Sequence, residues 1–197
     1  MKETWDKRYN SNEFVYGVKP NEFLKSILEK IKPGTILLPG DGEGRNSVFA
    51  AKLGWKVDAF DYSLEGYNKA KKLAKKNNAD INYFISDVSV FDTKIQYDFI
   101  AIIFLHLPPE IRASFFKNLV HFLKPGGYIL LEAFSREQIQ NTSGGPKDVT
   151  LLYDLQEIKE DFQQLTIELA EEKKIILDEG KLHQGKASVI RLLAKKD

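Results

Sequence analysis

The sequence contains no cysteine and a single methionine among its 197 residues. Without cysteine there can be no disulfide, no thiolate-zinc site and no cysteine nucleophile, and the composition fits a reducing compartment. Excess charge of either sign is also lacking: 29 Lys and Arg face 28 Asp and Glu, a formal net charge of +1. A protein built mainly to neutralise nucleic-acid phosphates needs clustered positive charge. The one basic run, the lysines at 69, 71, 72, 75 and 76, spreads around a helix and reads as a solvated face. Long apolar runs are missing too. The stretch from Phe99 to Leu107 is interrupted by His106 and falls far short of the ~20 residues of a membrane span. The N-terminus MKETWDKRYN has no apolar signal segment. These absences predict a cytoplasmic protein with neither nucleic acid nor membrane as a partner.

What is present is an apolar fraction of 43% beside 29% charged residues, the balance of a folded globular chain. Five apolar runs read as strands: TILL (35–38), KVDAF (56–60), INYFIS (81–86), YDFIAIIF (97–104) and YILLEAF (128–134). Helical patterns lie between them. Ser63 is placed as the N-cap of SLEGYNKAKKLAKK. PPEIRASFFKNLVHFL carries prolines in its first turn and ends at Lys124-Pro125-Gly126-Gly127, a terminator. Alternation with short connections predicts parallel strands joined by right-handed crossovers. Farther on, Arg136 to Val149 reads as a loop and Asp154-Leu155-Gln156-Glu157 as a helix start. LTIELAEE and ASVIRLLA read as an antiparallel pair. The expected fold is therefore α/β: a doubly wound, mostly parallel seven-stranded sheet with an antiparallel last strand. It is expected as one domain, with an N-terminal helical or lid segment over 1–32, a core over 33–134 and a loop, helix and final strand pair over 135–197.

The segment ILLPGDGEGRNS sets Gly40, Gly42 and Gly44 directly between the first strand and the following helix. Glycine permits a sharp turn and a close ligand approach, and doubly wound sheets bind ligands beyond the carboxyl ends of their strands. Asp61 closes the second strand 17 residues after Gly44, where a carboxylate can accept from ribose hydroxyls. Asp87 closes the third, in reach of an adenine amino group. NAD is the alternative cofactor, but its fingerprint is G-x-G-x-x-G, and the third glycine here comes one residue early. A P-loop is excluded because no Gly-Lys-Ser/Thr follows.

These residues match a family. LLPGDGEGRN, AFDYS, ISDV and LKPGGYILLEAF resemble the class I S-adenosylmethionine-dependent methyltransferases. The likeness is greatest to the small branch that includes tellurite-resistance and thiopurine-methyltransferase-like proteins. It implies a Rossmann-like methyltransferase fold, S-adenosyl-L-methionine as cofactor and methyl transfer to a small molecule. Carried over, Gly40 and Gly42 pack under the methionine part, with Asp41 and Gly44 in the same loop. Asp61 and Tyr62 hold the ribose and flank the adenine, Asp87 and Val88 meet the adenine edge, and Phe104 sits at the end of the fourth strand. Trp5, Tyr9 and Tyr16 fall in a lid-like entry segment. The family usually carries an acidic residue two positions before the first glycine. Here Leu38 stands there, followed by Pro39.

In-line methyl transfer asks a protein mainly for alignment, with a general base only for a protonated acceptor. His106, just past the fourth strand, is the candidate catalytic group. Arg136 and His183 are candidates to bind the acceptor, with Phe134, Tyr153 and the Gly144-Gly145-Pro146 loop as a possible cover, and His121 is given no role. No metal is implied. Leu107-Pro108-Pro109-Glu110 lacks the residues of the DNA amino-methyltransferase motif, and with no appended domain a small-molecule acceptor is favoured. A thiol, a chalcogen oxyanion or a heteroaromatic compound fits, with the protein a monomer or weak homodimer. The rivals are an NAD-dependent oxidoreductase and a non-catalytic domain that binds S-adenosylmethionine.

Overall fold

The structure is a computed structural model and describes residues 2–197. The chain forms two compact units: one runs up to Phe91 and includes Glu179–Leu182, the other holds Asp92–Asp178 and His183–Asp197.

The first unit begins with two short helices, α1 (Lys2–Tyr9) and α2 (Glu22–Leu28). The βα alternation follows: β1 (Thr35–Pro39), α3 (Arg45–Lys52), β2 (Lys56–Asp61), α4 (Leu64–Lys76) and β3 (Asn82–Ile85). β1 pairs with β2, and β2 with β3, all parallel. Ile36, Leu37, Leu38, Ala59 and Phe60 are buried, as strands covered on both faces require. Ser63 caps α4 as expected, its hydroxyl accepting from the Gly66 N–H at 3.1 Å. α4 turns Ala70, Leu73 and Ala74 inward at helical spacing. Lys71, Lys72, Lys75 and Lys76 are exposed on it, whereas Lys69 is not.

The second unit holds β4 (Tyr97–Ile103), α5 (Pro109–His121), β5 (Leu123–Phe134), α6 (Leu155–Asp161), β6 (Thr166–Asp178) and β7 (Gln184–Lys195). β4 and β5 are parallel, while β7 runs antiparallel to both β5 and β6. Asp154 caps α6 by accepting from the Gln156 and Glu157 N–H groups, the start its D-x-x-E pattern predicted. The strand order is β3-β2-β1-β4-β5-β7-β6, a seven-stranded sheet. That is the mixed, mostly parallel α/β architecture expected.

Two local readings change. The Lys124-Pro125-Gly126-Gly127 stop lies inside β5: Leu123 pairs with Tyr97 and Tyr128 with Phe99, so four residues bulge out of the ladder. The bulge survives because Gly126 takes a left-handed φ of +78°, and its N–H donates to the Lys196 carbonyl at 2.7 Å. Arg136–Gln140, expected as loop, is a 3-10 helix held by the buried Gln138. That side chain donates to Ser143 Oγ and the Gly144 carbonyl and accepts from the Ser188 N–H. Among the described residues no helix is long and apolar enough to cross a membrane.

Candidate cofactor loop and aromatic–histidine cluster

In the first unit, the chain leaves β1 through Gly40, Gly42 and Gly44 at φ +65°, +57° and +85°. Left-handed backbone at alternate residues accounts for glycine at this spacing. At Gly44, the N-cap of α3, a Cβ would come within 2.6 Å of the Ala70 Cβ, so the glycine lets α3 and α4 approach. At Gly42 a Cβ would meet the Tyr9 hydroxyl at 2.6 Å. The side left open there is filled by an aromatic residue of α1.

Asp61 clamps this loop. Its Oδ2 accepts from the Gly42 N–H at 3.1 Å and its Oδ1 from the Ser63 N–H at 2.9 Å, tying the glycine turn to the start of α4. Burial raises its pKa to about 6, opposed by the backbone N–H groups of Ser63, Gly42 and Tyr62. Three N–H donors do not saturate a carboxylate, which keeps acceptor capacity for a ligand hydroxyl. Asp41 is more exceptional: Oδ2 accepts from the Ser47 N–H at 3.3 Å, but Oδ1 is buried with no partner. Burial pushes this carboxyl to about 7 against the pull of the Ser47 hydrogen bonds and the Arg45 charge.

Tyr62 and Val88 are half-buried and Asp87 is exposed at the ends of β2 and β3. The Tyr62 phenol is raised to about 12, by burial first and then by the charges of Asp61 and Asp87. Asp87 Oδ1 accepts from both the N–H and hydroxyl of Ser89 at 2.8 Å.

The rings of Trp5, Tyr9 and Tyr16 lie together, with centroids 5.5–6.3 Å apart. Arg8 lies over the Trp5 ring and donates to the Tyr16 hydroxyl at 2.9 Å. The latch that holds them comes from residues the sequence reading passed over. Glu43 accepts from the Val15 and Tyr16 N–H groups and from Lys69 Nζ at 2.8 Å. Arg45 pairs with Glu179 at 2.8 Å, and Asn46 Oδ1 accepts from the Asn21 N–H at 2.9 Å. Lys69, read as part of a solvated face, is thus a half-buried partner of the buried Glu43. The available signal was charge inside a loop whose glycines demanded close packing.

The second unit gathers Phe104, His106, Phe134, Tyr153 and His183. Phe104 adopts φ +50°, a strained backbone for an aromatic residue. Its ring lies 4.6 Å from Phe134 and 4.7 Å from His183. His106 stacks on Phe134 at 5.6 Å and lies 5.0 Å from Tyr153. Both its nitrogens meet backbone: Nδ1 is 2.7 Å from the Leu151 carbonyl, and Nε2 accepts from the Phe134 N–H. That pairing requires the neutral Nδ1–H tautomer, and burial lowers its pKa to about 4. Arg136, half-exposed, forms ion pairs with Glu157 at 2.5 Å and Asp154 at 3.8 Å on α6. His121 is exposed, and no group of three or more metal-ligating side chains forms among the described residues.

A seven-stranded sheet of this order with a glycine turn after β1 is a Rossmann-like methyltransferase fold. The particular family follows from comparison: the family described as tellurite resistance protein TehB matches residues 2–194, and the chain belongs to it. A probable S-adenosyl-L-methionine-dependent methyltransferase TehB of Haemophilus influenzae is 30% identical over 105 residues, which is 52% of this chain and 37% of that protein. The match thus spans little more than a third of that curated relative. The crystal structure of TehB from Haemophilus influenzae superposes with a TM-score of 0.75 at 23% identity, covering 100% of this chain and 67% of that one. The protein in the structure on conversion of a disulfide bond into a thioacetal group during echinomycin biosynthesis gives 0.83 at 15% identity, over 100% and 92%. At these identities the two structures speak for the fold.

Proposed function

We propose that this protein binds S-adenosylmethionine through the glycine loop and transfers its methyl group to a small-molecule acceptor. The observation that carries the reading is the loop at the carboxyl end of β1. It combines three left-handed glycines, a clamping Asp61 and a buried Asp41 oxygen that lacks a donor. The residues fit the cofactor, since an orphaned acceptor and spare carboxylate lone pairs await hydrogen-bond donors. When bound, the cofactor supplies an electrophilic methyl: the acceptor's lone pair forms the new bond while the carbon–sulfur bond breaks toward sulfur, leaving S-adenosylhomocysteine.

The chain's own contribution is positioning. Asp61 and Asp87 supply acceptors for ribose and adenine, with Tyr62 and Val88 beside them, and Tyr16 belongs to the covering segment. On the acceptor side, His106 holds the Phe134 backbone and the Leu151 carbonyl. As a neutral group with both nitrogens engaged, it steadies the cluster rather than accepting a proton. Phe104 is half-buried and backed by the buried rings of Phe134 and His183, and Arg136 is drawn toward α6. This favours an acceptor that needs little deprotonation, such as a thiolate, another soft chalcogen nucleophile or a heteroaromatic nitrogen.

Calorimetric titration with S-adenosylmethionine, S-adenosylhomocysteine and NAD tests the cofactor, and transfer of labelled methyl to a panel of those acceptors tests the activity. The expected result is micromolar binding of both adenosyl ligands, none of NAD, and label in at least one acceptor. NAD binding alone overturns the reading. Adenosyl binding with no turnover across the panel leaves a non-catalytic binding domain.

A further inference from the structure

We propose that the outer edge of β6 pairs antiparallel with the same strand of a second copy, joining two sheets about a two-fold axis. β6 ends the strand order β3-β2-β1-β4-β5-β7-β6 and pairs on one side with β7. The strand at the opposite edge, β3, has 4 residues, whereas β6 has 13. A long edge strand presents a row of backbone donors and acceptors to any strand that matches it. No proline interrupts β6, and its ladder with β7 runs without a bulge from Leu169 to Asp178.

The side chains along that edge select the occupant. The segment LAEEKKI (169–175) brings acids against bases when a second copy is laid beside it in the reverse direction. A two-fold axis through an antiparallel pair sets one residue opposite its own copy. With Glu172 on the axis, Glu171 faces Lys173 of the second copy and Leu169 faces Ile175, and each pair occurs twice. These four residues alternate along the strand and so share one of its faces. On the other face Glu172 meets its own copy, with Lys174 of each chain diagonally across from it, within reach of a long side chain. Moving the axis to Lys173 sets Glu171 against Ile175, and moving it to Glu171 sets Lys173 against Leu169. Either shift places a charge on an apolar partner.

The charged residues are available for such pairing. Glu172, Lys173 and Lys174 are exposed and Glu171 is half-buried. Within one chain Lys173 meets Glu171 at 3.4 Å, and an exposed pair of this kind contributes little. Charges of one sign would guard the edge against its own copy, whereas this arrangement invites it. An interface built on one pair of strands belongs to the small, transient class, so the dimer depends on concentration.

Because the chain has no cysteine, its register can be measured by cross-linking. Glu172→Cys sets two thiols opposite each other with Cα atoms about 4.5–5.5 Å apart, within disulfide range. Lys174→Cys leaves its two copies about 13 Å apart along the strands. Mild oxidation is expected to give a covalent dimer with the first variant and not with the second. Sedimentation velocity over a concentration series is expected to show reversible dimers of the wild type. Glu171→Lys and Lys173→Glu should each weaken them roughly 10-fold or more by facing like charges. An equimolar mixture of the two variants should regain the dimer, since each then faces the opposite charge, and that recovery shows both to be folded. A wild type that stays monomeric throughout, a dimer indifferent to both charge variants, or equal cross-linking at the two cysteines overturns the proposal.

Discussion

At Gly42 one missing methyl group decides how the N-terminal segment and the glycine loop meet. The residue holds φ +57°, and an added Cβ would lie 2.6 Å from the Tyr9 hydroxyl and 3.2 Å from its ring. Gly42→Ala therefore combines a left-handed backbone penalty of roughly 1–2 kcal/mol with a clash against a buried aromatic residue. We expect the variant to melt about 4–10 °C lower, with loss of Tyr9 packing visible in aromatic circular dichroism. An unchanged melting temperature would mean that Tyr9 does not occupy this space. Gly54, also left-handed at φ +91°, has only Pro33 side-chain carbons at 3.9–4.0 Å from such a Cβ, so Gly54→Ala brings the backbone penalty without a clash. The comparison of the two variants separates strain from packing.

Among the elements, the segment that follows α1 is held by Glu43 rather than by a hydrophobic face. Its carboxylate takes two backbone N–H groups, from Val15 and Tyr16, and pairs with Lys69 inside the fold, where the Glu43 side chain is 2% exposed. Removing one partner of such a buried pair costs about 3–5 kcal/mol because the other charge is left uncompensated. Glu43→Ala should accelerate amide hydrogen exchange at Val15 and Tyr16 by at least 10-fold while the amides of β1 and β2 stay protected. Equal acceleration in the strands would show global destabilisation instead of release of the segment. Glu43→Gln, which keeps an acceptor but loses the charge, belongs between wild type and the alanine variant.

Across the whole molecule, buried titrating groups pull stability in opposite directions over one pH range. Asp41 and Asp61 are raised to about 7 and about 6, so their contribution is greatest below the ordinary carboxylate pKa of ~4 and is lost as pH rises toward 7. His106 is lowered to about 4. Its contribution is complete above the ordinary histidine pKa of ~6.5 and is lost as pH falls toward 4. The two trends oppose each other between pH 4 and 7, but the two carboxylates outweigh the one histidine, so wild-type stability is expected to fall as pH rises across that range. Asp41→Asn removes the larger carboxylate contribution. It should therefore be more stable than wild type at pH 8, by about 2 kcal/mol, with the difference shrinking toward pH 4. Denaturant unfolding at a series of pH values measures this directly, and a difference independent of pH would remove Asp41 from the balance.

The alternation of β-type and helical runs, the Ser63 and Asp154 caps and the glycine turn were legible because each depends on neighbours within a few residues. Backbone sterics and local hydrogen bonds act at that range, and these features set the α/β class and the order of elements. Tertiary structure decided what local pattern does not encode. Lys124-Pro125-Gly126-Gly127 became a bulge within β5 because Lys196, some seventy residues later, supplies its hydrogen bonds. Lys69 left the solvated face because Glu43 and the Glu13 carbonyl lie within reach. His106 is held by the Leu151 carbonyl and the Phe134 N–H, and Arg136 by the carboxylates of Asp154 and Glu157 at the start of α6. Side-chain chemistry can be read from the sequence, but the partner that satisfies it is set by which distant segments the fold brings together.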